Sequence, residues 1–299
     1  MNFINPTLST NPTWLGLGDV LWFLPTIKKL SLTLNHKINV VTQYPKLFIN
    51  NPYVDQIFDL KTFDKNSQNG NHYFFVPYER SDEILWFISN NRQVIANNCR
   101  ISLLPHEEEI EFYPTCQPLN FLPLKYIYLN ASIRGPDRDL GKENWQKLVD
   151  ILNENQIPVV VEGSSEHTHN LEIRNGVNLI GKTSSISETW HAINQSTAFV
   201  SFDTGMYIFA GSTQTQIFLI NTYFEDYWHR PSRKGSYDYK FSVIKGDCEE
   251  KCMGNLKYYK TNGGLYQPPP QICPLQINFK CIPSVGKIAE TLINYWKTT

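Results

Sequence analysis

Short apolar runs alternate with helical segments through the second half of this 299-residue chain. The run Ile157–Val161 is apolar throughout, which is typical of a strand buried on both faces. Ala198–Phe202 and Gln216–Ile220 read as further strands, and helical spacing predicts helices over Glu143–Leu152 and Ile186–Ile193. Strands that alternate with helices favour an α/β fold with a mainly parallel sheet.

The remaining elements are less sharply marked. Further strands are predicted at Ile38–Val41, Val54–Phe58, Tyr73–Val76, Lys125–Leu129 and Val177–Ile180. Helices are predicted over Asp19–Leu34 with a kink at Pro25, over Ser81–Asn90, from the Glu162–Ser165 loop through Ile173, and over Ser284–Trp296. The alternation therefore extends to the first half of the chain.

The segment Leu104–Pro123 contains four prolines, which deny the chain regular hydrogen bonding. We interpret it as the connection between two domains, the number expected for a chain of this length. The predicted units are residues 1–122, residues 123–282 and a C-terminal helix over 283–299.

Composition argues against several classes of function. The net charge of −1 gives no basis for wrapping a polyanion, so nucleic acid is not the expected partner. No apolar run approaches the ~20 residues that span a bilayer, so no membrane span is expected. The N-terminus has neither the basic region nor the apolar core of a signal peptide. We therefore expect a cytoplasmic protein.

The stretch Trp14–Pro25 places Asp19 between a glycine-rich turn and an apolar helix. A carboxylate at a helix start is stabilised by unpaired N–H groups and by the helix dipole. Asp19 is therefore predicted either to cap this helix or to act as a catalytic carboxylate at the mouth of a cleft.

A second candidate site follows the strands of the second half. Asp203, Thr204 and Gly205 open a short helix where strand Ala198–Phe202 ends, and such a turn presents N–H groups to an anion. Gly163 and Glu166 follow a neighbouring strand, and Glu166 is a candidate for binding a ribose. Arg138 is a candidate cation for a diphosphate. Plain helix capping and a basic surface loop are the alternatives.

The order of these motifs resembles glycosyltransferase family nine, the bacterial heptosyltransferases. The resemblance covers roughly residues 14–296. Its motifs are Gly18-Asp19-Val20-Leu21 with Leu24-Pro25, Asn51-Pro52-Tyr53-Val54-Asp55, Leu179-Ile180-Gly181-Lys182-Thr183 and Phe202-Asp203-Thr204-Gly205.

The resemblance implies a GT-B fold, in which two Rossmann-like domains face a central cleft and a C-terminal helix crosses back to the first. It implies an inverting glycosyltransferase that moves a sugar, a heptose or a hexose, from a nucleotide-diphosphate donor to a hydroxyl of a protein or glycan. Asp19 would be the general base, and Arg138, Asp203, Thr204 and Gly205 would bind the donor diphosphate. No metal is required for transfer in this scheme.

One position departs from the family pattern. The family continues Asp-Thr-Gly with two residues and then His-Leu-Ala. This chain has Ile208-Phe209-Ala210 at those last three positions, which removes one donor to the diphosphate. This departure motivates a non-catalytic alternative, a sugar-nucleotide or glycan-binding protein that keeps the fold. A phage-type enzyme that glycosylates modified DNA bases is a second alternative.

Four cysteines, Cys248, Cys252, Cys273 and Cys281, crowd one late segment. In a reducing compartment such a cluster favours metal over disulfides, and four thiolates suit a closed tetrahedral site for iron or zinc. Free thiols and disulfides remain alternatives. The segment resembles that of autotransporter heptosyltransferases, where four cysteines hold a structural iron ion and the subunits assemble into rings. The resemblance thus implies a structural metal and a homo-oligomer.

Overall fold

The computed structural model describes residues 7–9, 16–21, 23–63, 72–75, 78–79, 87–88, 94–96, 100–101, 109–132, 138–165, 168, 171–221, 233, 240–248 and 280–299. These residues form two α/β halves, each built around a six-stranded sheet. The predicted α/β fold with mainly parallel sheets is confirmed.

The first half contains these described elements in chain order: β1 Thr7–Ser9, α1 Leu17–Leu21, α2 Leu24–Leu34, β2 Ile38–Thr42, β3 Val54–Asp59, β4 His72–Phe75, β5 Tyr78–Glu79, β6 Phe87–Ile88, β7 Val94–Ala96 and β8 Arg100–Ile101. The sheet order is β3-β2-β1-β4-β7-β8. Strands β1 to β4 are parallel, whereas β7 and β8 continue the sheet antiparallel. Strands β5 and β6 pair separately.

The helix predicted over Asp19–Leu34 is divided into α1 and α2. Pro25 lies in the first turn of α2, where the missing N–H of proline is not needed. Proline has no N–H to donate to the carbonyl four residues before it, and its ring clashes with that carbonyl, so α1 ends at Leu21. Asp19 thus belongs to a separate short helix.

The helix predicted over Ser81–Asn90 is wrong at its described residues. Phe87–Ile88 form strand β6, which pairs antiparallel with Tyr78–Glu79, while residues 81–86 and 89–90 lie outside the described residues. A short apolar run fits both helical and strand periods, so the local pattern did not decide between them. The strands β7 and β8 were not predicted either.

The second half contains these elements: β9 Ile127–Asn130, α3 Lys142–Glu154, β10 Val159–Glu162, β11 Val177–Asn178, α4 Ile186–Gln195, β12 Ala198–Phe202, α5 Gly205–Ala210, β13 Gln216–Asn221, β14 Phe241–Lys245 and α6 Val285–Trp296. All strands of its sheet are parallel, in the order β11-β10-β9-β12-β13-β14. Numbered within this half, the order is 3-2-1-4-5-6, which is that of a Rossmann fold. Its topological switch point lies between β9 and β12.

One helix predicted for this half is wrong, and one strand was not predicted. Leu171–Ile173 are not helical, although a helix was predicted through Ile173. The strand β14 was not predicted, because its sequence Phe-Ser-Val-Ile-Lys is only partly apolar and follows a long polar segment.

The longest helix among the described residues has 13 residues. None of the described helices is long and apolar enough to cross a membrane.

Two apolar cores surround the sheet of the second half. One core lies entirely within this half and buries the α6 residues Val285, Ile288 and Leu292 against the α3 side. The buried face of the C-terminal helix thus packs on the second half, and its crossing to the first half stays a prediction. The other core contains residues of both halves, among them Leu21 and Phe209.

The segment Leu104–Pro123 was predicted to be an irregular connection. Its described part, residues 109–123, contains neither helix nor strand, which confirms that prediction for these residues. The segment is nevertheless anchored. Phe112 is buried with its ring 4.9 Å from that of Phe209, and Glu111 forms an ion pair with Lys28 of α2 at 2.5 Å. The connection therefore packs against both halves.

Candidate active site

A cleft of about 480 Å³ lies at the carboxyl ends of β9, β10 and β12. The first half contributes Leu17, Tyr44 and Lys46 to its walls. The second half contributes Asn130, Ser132, Glu162, Gly163, Ser164, Ser165, Gly181, Thr183, Ser184, Ser185, Ile186, Thr189, Thr204, Gly205 and Met206. Because ligands of open α/β sheets bind outside the carboxyl ends of strands at a switch point, this cleft is the candidate active site.

The N-termini of α1 and α5 meet at one wall of the cleft. A side chain at Gly205 would place its Cβ 2.8 Å from the backbone nitrogen of Gly18 and 3.0 Å from Cβ of Leu17. A Cβ at Gly18 would lie 2.8 Å from Cδ1 of Ile208. The two glycines therefore permit a backbone contact between the halves that no other residue type would allow without displacement.

Asp19 is the third residue of α1 and is half-buried. Its carboxylate accepts a hydrogen bond from the N–H of Gly16 at 2.8 Å. This is the N3-to-N-cap half of a capping box, so Asp19 is not the N-cap residue itself. The contact fixes the carboxylate beside Gly18, at the junction of the two halves.

The side chain of Arg138 contacts the turn that opens α5. Its guanidinium donates to the backbone carbonyl of Asp203 at 2.7 Å and lies 3.4 Å from the Asp203 carboxylate. Both side chains are mostly buried, with 16% and 17% of their surfaces exposed. The structure thus places a cation directly before Thr204 and Gly205, which line the cleft.

The predicted donor residues are partly brought together. Gly163, Thr204 and Gly205 line the cleft, and Arg138 and Asp203 contact each other beside it. A Cβ at Gly163 would lie 2.5 Å from Cγ2 of Thr168, so only glycine fits there. Glu166 lies outside the described residues.

Glu162 lines the cleft and was not among the predicted site residues. Its carboxylate is buried and accepts hydrogen bonds from the hydroxyls of Tyr128, Thr183 (2.7 Å) and Thr189 (2.6 Å). Burial raises the pKa of Glu162, although the three hydrogen bonds oppose this shift. A glutamate placed directly after three valines at the end of a buried strand was the signal that could have identified it.

This pKa shift predicts how Glu162→Gln changes stability with pH. Since the folded state raises the pKa, the carboxyl stabilises the fold below its unfolded pKa and loses that contribution as pH rises through its folded value. Glu162→Gln should therefore raise the free energy of unfolding at pH 7 relative to the natural chain, and this gain should shrink towards pH 4. Denaturant unfolding at several pH values measures the difference.

Glu188 provides a control of opposite sign. Hydrogen bonds from Ser184 lower its pKa, so its contribution is present above the unfolded pKa and is lost as pH falls. Glu188→Gln should therefore reduce stability at pH 7. A loss of stability at pH 7 in both variants would contradict the assignment for Glu162.

Two of the four clustered cysteines are described, and they lie on neighbouring backbone segments. The N–H of Cys248 donates to the carbonyl of Lys280 at 3.2 Å, and the N–H of Gly246 donates to that of Cys281 at 3.2 Å. A side chain at Gly246 would overlap these carbonyls. Cys252 and Cys273 lie outside the described residues. Within the described part of the chain, no three His, Cys, Asp or Glu side chains converge on a metal position.

No protein-family model matches the sequence, and no curated protein matches it. Several solved structures, in contrast, match the fold of this chain. A family 9 glycosyl transferase from Veillonella parvula matches with a TM-score of 0.57 and 14% identity, over 97% of each chain. The ADP-heptose LPS heptosyltransferase II of E. coli matches with a TM-score of 0.61 and 12% identity, over 99% of each chain.

A third match is TibC of enterotoxigenic E. coli, described as an iron-containing dodecameric glycosyltransferase. Its TM-score is 0.66 at 11% identity, over 98% of this chain and 76% of TibC. Identities this low establish similarity of fold. The chain therefore has the GT-B fold of the family 9 glycosyltransferases over nearly its whole length.

Proposed function

We propose that the protein is an inverting glycosyltransferase that moves a heptose or hexose from a nucleotide-diphosphate donor to a hydroxyl of a protein or glycan. The observation that carries this proposal is the cleft at the switch point of the second half, closed on one side by the α1–α5 contact. Solved structures of the same fold support an ADP-linked donor, since one is TibC in complex with ADP-D-β-D-heptose.

The donor diphosphate is assigned to the turn at Thr204 and Gly205. The first N–H groups of a helix lack partners within the helix, and Arg138 adds positive charge beside them. Negative charge collects on the diphosphate as its bond to the sugar breaks. Preorganised N–H groups and a cation stabilise that charge where it develops.

Asp19 is assigned the role of general base. The acceptor oxygen forms a bond to the anomeric carbon while the bond from that carbon to the diphosphate oxygen breaks. The acceptor proton passes to Asp19, and the nucleoside diphosphate leaves with the electron pair. The hydrogen bond from the N–H of Gly16 holds the carboxylate at the junction of the two halves for this step.

The test of the proposal is incubation with ADP-heptose and a panel of other nucleotide sugars, followed by mass spectrometry of the products. Sugar transfer or donor hydrolysis is the expected result. Ile208 stands at the position where the family pattern has a histidine, and its side chain packs towards Gly18. The loss of that histidine favours the binding-protein alternative. That alternative predicts nucleotide binding with neither product, whereas salt-sensitive DNA binding would favour the DNA-modifying alternative.

We further propose that Cys248, Cys252, Cys273 and Cys281 hold a structural iron or zinc ion. The pairing of Cys248 with the segment that carries Cys281 supports this, as does the iron of TibC. Protein purified under anaerobic conditions is expected to contain one metal ion per chain, which elemental mass spectrometry measures.

Cys248→Ser should lose most of this metal and lower the melting temperature. Cys116→Ser, at a free cysteine outside the cluster, should retain both. Metal-free natural protein, or equal metal in both variants, would contradict the site.

The proposal also includes the oligomeric state of the protein and its compartment in the cell. Phe121 and Leu124 expose 65% and 104% of their surfaces, and TibC is dodecameric, so we expect a homo-oligomer in solution. Four thiolates that hold metal require a reducing compartment, which supports a cytoplasmic location.

A further inference from the structure

Three polar residues form one row across the centre of the second sheet. Glu162 of β10 and Ser201 of β12 both pair in register with Asn130 of β9. Their side chains therefore extend from the same face of the sheet, at its carboxyl edge. All three are buried, with 5%, 0% and 1% of their surfaces exposed in the order Glu162, Ser201, Asn130.

The hydrogen bonds of this row leave one acceptor unused. Ser201 donates to the carbonyl of Phe202 at 2.7 Å, and Glu162 accepts from three hydroxyls. Oδ1 of Asn130 is buried without a hydrogen-bond partner among the described residues, although Asn130 lines the cleft. An unpaired buried acceptor is unfavourable, so it is expected where a ligand supplies the donor.

Two neighbouring hydroxyl groups, those of Thr183 and Thr189, also act as hydrogen-bond acceptors towards the cleft. Thr183 and Thr189 donate their protons to Glu162, so their oxygens face other groups as acceptors only. Together with a buried carboxylate and Oδ1 of Asn130, they give this part of the cleft an acceptor surface. Such a surface repels phosphate oxygens and matches groups that carry O–H donors.

We infer that Asn130 is a specificity-determining residue that accepts a hydrogen bond from a ring hydroxyl of the ligand, next to the diphosphate turn at Thr204. The inference rests on the proposed nucleotide-sugar donor. The hydroxyl belongs either to the ribose of the nucleotide or to the transferred sugar, and the two sources are separable by experiment.

The test compares the natural chain with Asn130→Leu, which has similar volume but no acceptor. Calorimetry measures the affinities for ADP-D-β-D-heptose and ADP, and for UDP-glucose and UDP. Asn130→Leu should weaken binding of the nucleotide sugar about tenfold, the effect of one hydrogen bond to a buried group. An equal loss for the nucleoside diphosphate assigns the hydroxyl to ribose, whereas a loss confined to the nucleotide sugar assigns it to the transferred sugar.

Thermal unfolding separates this role from a structural one. Removing an unpaired buried acceptor should leave the melting temperature unchanged or raise it, while affinity falls. Asn194→Leu, at an exposed position of α4, is the matched control and should change neither quantity. Unchanged affinity in Asn130→Leu, or a melting temperature that falls together with affinity, overturns the inference alone. A natural chain that binds none of the four probes overturns the proposed donor as well.

Discussion

Asp19→Asn is expected to lower the turnover number for sugar transfer by about 10²–10⁴-fold, the range of a lost general base. The amide oxygen of asparagine still accepts the hydrogen bond from Gly16, so α1 should keep its start and the variant should fold normally. Binding of the donor should change little, because the diphosphate is assigned to the other half. Steady-state kinetics and calorimetry of donor binding measure the two quantities separately.

Asp55→Asn is the matched control for Asp19. Asp55 is an exposed carboxylate on β3 of the same half, so its loss should leave turnover unchanged. Turnover in Asp19→Asn that equals that of the control, with the fold intact, would overturn the assignment of the base. A capping role alone predicts a loss of stability instead.

Gly205→Ala should have the second large effect. Its Cβ would lie 2.8 Å from a backbone nitrogen of α1, so relief requires the helix starts to move apart. We expect a loss of about 1–3 kcal/mol in the free energy of unfolding, as for other overpacked sites. The same movement displaces Asp19 from the diphosphate turn, and a displacement of about 1 Å costs up to 10²-fold in rate.

Gly286→Ala tests whether the change from glycine itself causes such effects. A Cβ at Gly286 meets nothing within 4 Å, and the residue lies in helix α6. This variant should keep its turnover and gain at most about 1 kcal/mol of stability, because alanine favours a helix over glycine. Normal rates in Gly205→Ala would indicate that the halves need not touch during transfer.

Local signals predicted much of the second half. Strand β12 has the predicted bounds, because four of the five residues of Ala198–Phe202 are apolar and all five are buried. Helix α4 begins after Ser185, whose hydroxyl accepts from the N–H of Glu188, as a capping residue does. Both features depend on residues that are close in sequence, which is why one sequence was sufficient.

The parts that escaped prediction depend on distant residues. The partners of Glu162 lie 34, 21 and 27 residues away along the chain, so its buried network follows only from the strand order. The place of Asp19 within the site likewise depends on α5, which lies far along the chain and brings Gly205 against Gly18. The hairpin of β5 and β6 was missed because pairing, not periodicity, determines it.

The apolar core that contains residues of both halves has a consequence for folding cooperativity. Leu21 and Phe48 of the first half share this core with Tyr128 and Phe209 of the second, and Phe112 of the connection is buried with them. Unfolding one half would expose the apolar surface of the other to water, which is unfavourable. The two Rossmann-like halves are therefore expected to lose structure in a single concerted transition, although each has the size of an independent domain.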